Sequence, residues 1–161
     1  MSVKSNLLLI IKTFQMKSIL YFLIGFSVSA LILTLAYCAI HSTPQITTGQ
    51  VLWCTLAFII SVPIHEFIHG VTSCYVSENN CKTITFGIKP LEFRAYCKYA
   101  LPIEPQMRKY VIIMPCVILA VIPAIAGLLL GSPSLCIFSI FSFAWSSKDI
   151  HNYIKIINKK K

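Results

Sequence analysis

Long apolar stretches alternate with short polar ones along this chain. The first, Ser18 to Ile40, runs 23 residues without a charge, and a membrane-crossing helix needs about 20. A polar break, His41-Ser-Thr-Pro-Gln-Ile-Thr-Thr-Gly-Gln50, separates it from a second apolar segment over 51–77. A third runs over 110–131, and Gly131-Ser-Pro-Ser134 is a turn signal. A fourth covers 135–157; its uncharged part ends at Ser147, so it spans only by continuing through Lys148 and Asp149. The loop 78–109 has a different period. Thr83-Ile-Thr-Phe-Gly-Ile-Lys89 and Leu91-Glu-Phe-Arg-Ala-Tyr96 alternate apolar and polar positions around Lys89-Pro90, which predicts a β-hairpin. Ser5 to Lys17, with Leu7, Leu8, Ile10, Ile11 and Phe14, predicts an interfacial amphipathic helix. The expected architecture is an all-α membrane protein, about four transmembrane helices and a small cytoplasmic β-hairpin, in one domain over 1–161.

Composition agrees. Hydrophobic residues make up 57% and charged residues 12%, at a mean hydropathy of +0.77, where a soluble domain carries roughly 25% charge. These values exclude an ordinary soluble domain and a disordered chain. The net charge is +9, but it is not a nucleic-acid-binding face. The Lys and Arg residues fall at 4–17, 82–109 and 148–161, separated by long uncharged stretches. Four spans put all three basic clusters on one side and the uncharged turns 41–50 and 131–134 on the other. By the positive-inside rule both termini and the loop 78–109 are then cytoplasmic, in a multi-pass protein of the cell membrane. The first apolar stretch is too long for the core of a cleaved signal peptide, lacks a small-x-small site after it, and is read as an uncleaved helix. Seven dispersed cysteines without a Cys-x-x-Cys pair argue against a disulfide framework.

One motif carries chemistry. His65-Glu66-Phe67-Ile68-His69 is an H-E-x-x-H sequence. Glu66 is the only formally charged residue between Lys17 and Glu78. An ionisable group inside a span costs about 2.5–3.5 kcal/mol even on the lenient insertion scale, and faces a partner or a water-filled cavity. His65 and His69, at i and i+4, project from one helical face and can take two corners of a tetrahedral zinc site. Glu66, beside the metal without binding it, can accept a proton from water. The competing structural reading is a pair of core histidines with Glu66 ion-paired across helices.

A metzincin extension would need Gly at 72 and His at 75, where this chain has Thr72 and Tyr75. Glu78, Glu92 and Glu104 belong to the loop, away from the helical site. Asp149 is the acidic residue near another span. His65 lies 14 residues after Val51 and Asp149 14 residues after Leu135, so both sit about 21 Å along parallel helices. Asp149 is the favoured third ligand. Its structural alternative is an N-cap or an interfacial ion pair with Lys148 or Lys155, and His151 is the competing ligand on another face.

These residues resemble a known group. The helix with His65-Glu-Phe-Ile-His69-Gly70 and the later Ser146-Ser-Lys-Asp149-Ile150 are similar to the putative zincin peptidases of bacterial membranes, related in plan to the site-2 intramembrane metalloproteases. The resemblance covers about residues 20–155 and rests on these two segments. It implies zinc held by the H-E-x-x-H histidines and a downstream Asp, here His65, His69 and Asp149, with Glu66 as the catalytic base. It also implies a bacterial cytoplasmic membrane. Site-2 proteases carry Leu-Asp-Gly at the Asp helix where this chain has Lys148-Asp149-Ile150.

The expected function is a membrane-embedded, zinc-dependent peptidase acting on membrane-protein or peptide substrates, with the lipid bilayer as its other partner and no nucleic acid. The alternative is a non-catalytic metal-binding membrane adaptor or chaperone, which would need the histidines but not Glu66. Asn152, one turn after Asp149, is a candidate oxyanion stabiliser. An edge strand of the hairpin could bind an extended substrate by backbone pairing, or the hairpin could simply rest on headgroups. Pro63, Pro115 and Pro123 interrupt the helices. Such breaks are tolerated where they line a cavity, and they also serve to shape packing.

Overall fold

The protein is described by a computed structural model over residues 3–76, 84–89, 94–99 and 105–158, with side chains described for 16–76 and 107–158. Helix α1 covers Val3–Ile40 and α2 Thr48–Val76; strands β1 (Ile84–Lys89) and β2 (Arg94–Tyr99) follow. Helix α3 (Pro105–Cys116) continues through a π-helical turn (Val117–Val121) into α4 (Ile122–Leu130), and α5 covers Pro133–Asn158.

Three helical stretches are long and apolar enough to cross a membrane: Met16–Ile40, Thr48–Val76 and Met107–Leu130. Three of the four expected spans meet this measure, and the fourth, on α5, does not. The reason lies in where α5 sits. It packs against α1, α2, α3, the π-turn and α4, and it buries Cys136, Ser139, Ser142, Ala144 and Ser146. Small and polar side chains let neighbouring helices approach closely, and they lower the hydropathy of the helix that carries them. The large apolar residues face outward instead: Leu31 and Leu35 on α1, Trp53 and Ile60 on α2, Ile125 and Leu129 on α4 are all exposed. This inside-out distribution suits a lipid surround.

The segment 5–17 is not a separate helix, because α1 runs unbroken from Val3; most of its side chains lie outside the described ones. Helix α2 starts three residues before the expected Val51. Thr47 and Gln50 form a reciprocal pair: the Thr47 N–H donates to Gln50 Oε1 at 2.9 Å and the Gln50 N–H to Thr47 Oγ1 at 3.3 Å. This capping box satisfies donors that a helix start otherwise leaves free.

The turn between α4 and α5 shows why Gly131 stands there. Its φ of +62° is left-handed, and the Ser132 N–H reaches back to the Gly127 carbonyl at 2.8 Å, closing the helix as glycine readily allows. The end of α1 seals the same turn: Tyr37 donates to the Gly131 carbonyl at 2.9 Å and His41 Nε2 to the Leu128 carbonyl at 2.7 Å. The turns 41–50 and 131–134 therefore share one end of the bundle. The two strands pair antiparallel, Ile84 opposite Tyr99 through Lys89 opposite Arg94, and the hairpin packs against α2. The cysteine expectation needs a correction at one position: Cys74 is disulfide-bonded, to a partner outside the described side chains.

Helix α1 is the support of α5. A Cβ added at Gly25 would lie 2.7 Å from Ser147 Cβ and 3.2 Å from Ala144 Cα. Ser147 Oγ donates to the Tyr21 carbonyl at 2.7 Å across the same contact. Gly25→Leu is expected to destabilise the folded protein by about 1–3 kcal/mol through overpacking, read as a lower unfolding midpoint in detergent micelles. An unchanged midpoint would show that the two helices do not touch there.

Candidate metal centre

Helix α2 carries His65 and His69 one turn apart, and their rings stand edge to face with centroids 4.9 Å apart and planes at 81°. His65 is buried at 3% exposure. Asp149 reaches them from α5. Its Oδ2 lies 3.0 Å from His65 Nε2 and 3.5 Å from His69 Nε2. One ligand atom from each of the three lies within 4.8 Å of the other two. The two helices run in the same direction, since Cys54, Phe58 and His65 of α2 meet Ser134, Phe141 and Asp149 of α5 in that order.

This donor set fits a zinc-type cation. Bonds of about 2.0–2.2 Å in a tetrahedral site put neighbouring ligand atoms about 3.3–3.5 Å apart, close to the spacing of Asp149 Oδ2 from both imidazoles. Two nitrogens and one carboxylate oxygen also leave a fourth position open, as hydrolytic sites require. Asp149 keeps 24% of its side chain exposed against 4% for His65 and 12% for His69, so it is the most open of the three. The same contacts operate without a cation: the carboxylate accepts from an imidazole N–H and holds α5 to α2.

Behind the cluster, His69 Nδ1 lies 2.8 Å from the Val111 carbonyl on α3. A carbonyl only accepts, so Nδ1 carries the proton and Nε2 faces Asp149 with its lone pair in the neutral ring. Such an outer partner orients a ligand ring and fixes its tautomer. It is a backbone atom, and no residue type at 111 announces it.

The remaining candidates divide plainly. Glu66 is half-buried beside His65. His151 does not join the cluster: its Nε2 lies 3.1 Å from Tyr21 Oη and its ring 4.7 Å from that ring. Two residues past Asp149, the helix turns it toward α1. Asn152, half-buried, makes no hydrogen bond to the three residues among the described side chains. Glu78, Glu92 and Glu104 lie outside the described residues.

Neither a curated protein nor a solved structure matches the chain. Residues 58–161, well over half of the sequence and including both the histidine helix and the aspartate helix, match the model of the family described as putative zincin peptidase, and the chain belongs to that family.

Proposed function

We propose that the protein is a membrane-embedded zinc peptidase that hydrolyses peptide bonds of membrane-associated protein substrates. The observation that carries this reading is the meeting of His65, His69 and Asp149 within 4.8 Å, with the carboxylate of Glu66 next in the chain to the first of them.

His65 and His69 would hold the cation through Nε2, and Asp149 through a carboxylate oxygen. A zinc ion held there would supply Lewis acidity toward a scissile carbonyl and toward water. Glu66 accepts the proton of the attacking water and delivers it to the leaving amine nitrogen, so one carboxylate serves as base and then acid. Asp149 balances charge at the site and, being the most exposed of the three, marks the side from which substrate enters. The hairpin packed on α2 offers a strand edge on which an extended segment can pair by its backbone. An extended segment is what the reaction needs, since a helical substrate keeps its peptide bonds inside the helix.

In this reading α5 is a fourth, interior span, enclosed by helices rather than by lipid. The basic clusters and the hairpin lie on the cytoplasmic side, as do both termini. The disulfide at Cys74 sits at that same end and pulls the other way, because disulfides are rare in the cytosol. The distribution of all 14 Lys and Arg residues is what supports the cytoplasmic side.

A second reading, a metal-holding membrane adaptor, shares the three ligands but has no use for Glu66. Hydrolysis of fluorescently labelled casein by purified protein in detergent, compared with its Glu66→Gln variant, separates the two.

A further inference from the structure

The three prolines inside the helices are not equivalent. Each lacks an N–H, and so each deprives the carbonyl four residues earlier of its helical partner; its ring also pushes that carbonyl aside. Pro63 stands in this relation to Ile59, Pro123 to Leu119 and Pro115 to Val111. Only at Val111 does a side chain of the metal cluster take up the carbonyl. Both residues of that pair are buried, Val111 at 3% exposure and Pro115 among the most enclosed side chains of the bundle. A buried carbonyl without a donor is costly, more so among apolar helices. The donor comes from the helix packed alongside: His69 Nδ1, at 2.8 Å.

We infer that Pro115 is a positioning residue for the metal centre: by withholding its N–H it reserves the Val111 carbonyl for His69, which fixes the His69 tautomer and aims Nε2 at Asp149. The inference rests on His69 being a ligand, as proposed above. It deepens that reading by finding the outer partner and the sequence feature that creates it. The spacing is coherent at every step. Pro115 lies one helical turn after Val111, α2 and α3 pack directly, and the freed carbonyl faces the imidazole whose other nitrogen lies 3.5 Å from Asp149 Oδ2. An ordinary residue at 115 would draw the Val111 carbonyl back into the helix and leave Nδ1 without an acceptor. The Nε2–H tautomer would then compete, and its proton must move to Nδ1 before Nε2 can bind a cation.

The test separates the missing N–H from the shape of the ring. Pro115→Ala restores the N–H. Pro115→lactic acid, introduced as a backbone ester, has the same methyl side chain as alanine but no N–H. Cobalt(II) titration of the full-length protein in micelles is expected to show affinity about 10–100-fold weaker for Pro115→Ala, the usual cost of losing an outer partner, with an unfolding midpoint equal to or above that of the wild type. The ester is expected to return to within about threefold of wild type. Wild-type affinity retained in Pro115→Ala, or an ester as weak as alanine, overturns the inference. Nitrogen-15 spectra of the metal-free wild type supply a second measurement that needs no variant: a neutral His69 protonated at Nδ1 is expected, and the Nε2–H form overturns the inference. A wild type that binds no cation would instead defeat the peptidase reading, while the spectra still decide the tautomer.

Discussion

Glu66→Gln is expected to keep the zinc content of the protein and to lower casein hydrolysis by at least about a hundredfold, the lower end of what a positioned base contributes. The substitution keeps the size of the side chain and removes only its ability to take up a proton. Glu66 is not among the three residues whose ligand atoms converge, so metal content is expected to hold. Hydrolysis and elemental zinc are measured on the same preparation. Full activity in the variant would remove Glu66 from the mechanism, and loss of zinc would make it a ligand instead.

Asp149→Ala has the larger expected effect on the metal itself. It removes one donor of three, so affinity falls by more than the roughly 10–100-fold that loss of an outer partner costs, and zinc is lost during purification. It also severs the contact that holds α5 to α2 without metal, since the carboxylate lies 3.0 Å from His65 Nε2. Stability therefore falls with or without metal. Asp149→Asn separates these effects: it retains an acceptor for an imidazole N–H but lacks the anionic donor. Unchanged zinc stoichiometry in either variant would move the third ligand elsewhere.

Much of this was legible along the chain, for identifiable reasons. An uncharged stretch such as Ser18–Ile40 has only one low-energy state in lipid, and it forms a helix. His65 and His69 needed only helical spacing to share a face, and the equal distances of His65 and Asp149 from their turns anticipated that the two helices meet at that level. The alternating positions on either side of Lys89-Pro90 mark a strand pair, which forms over Ile84–Lys89 and Arg94–Tyr99. Less legible was α5. Hydropathy measures affinity for lipid, and a helix enclosed by others needs little of it; its serines read as weakness in a span when they are the packing surface. The start of α2 was misjudged because the capping pair Thr47 and Gln50 looks like loop composition.

The outer partner of His69 was the least accessible. A backbone carbonyl has no letter in the sequence, and only the proline four residues later marks it. The role of α1 was also hidden. Gly25 gives no periodic signal, yet its missing side chain lets α1 lie against Ala144 and Ser147, next to Lys148 and Asp149. That helix lies outside the residues 58–161 matched by the family model.

If His65, His69 and Asp149 share one zinc ion between two helices, the zinc-to-chain ratio of protein purified in detergent without chelator reads it directly, wild type against His65→Ala. One zinc per chain is expected in the wild type and almost none in the variant, with both proteins still helical by circular dichroism. A folded wild type without zinc, or a folded variant that keeps it, would rule out a shared ion at these residues.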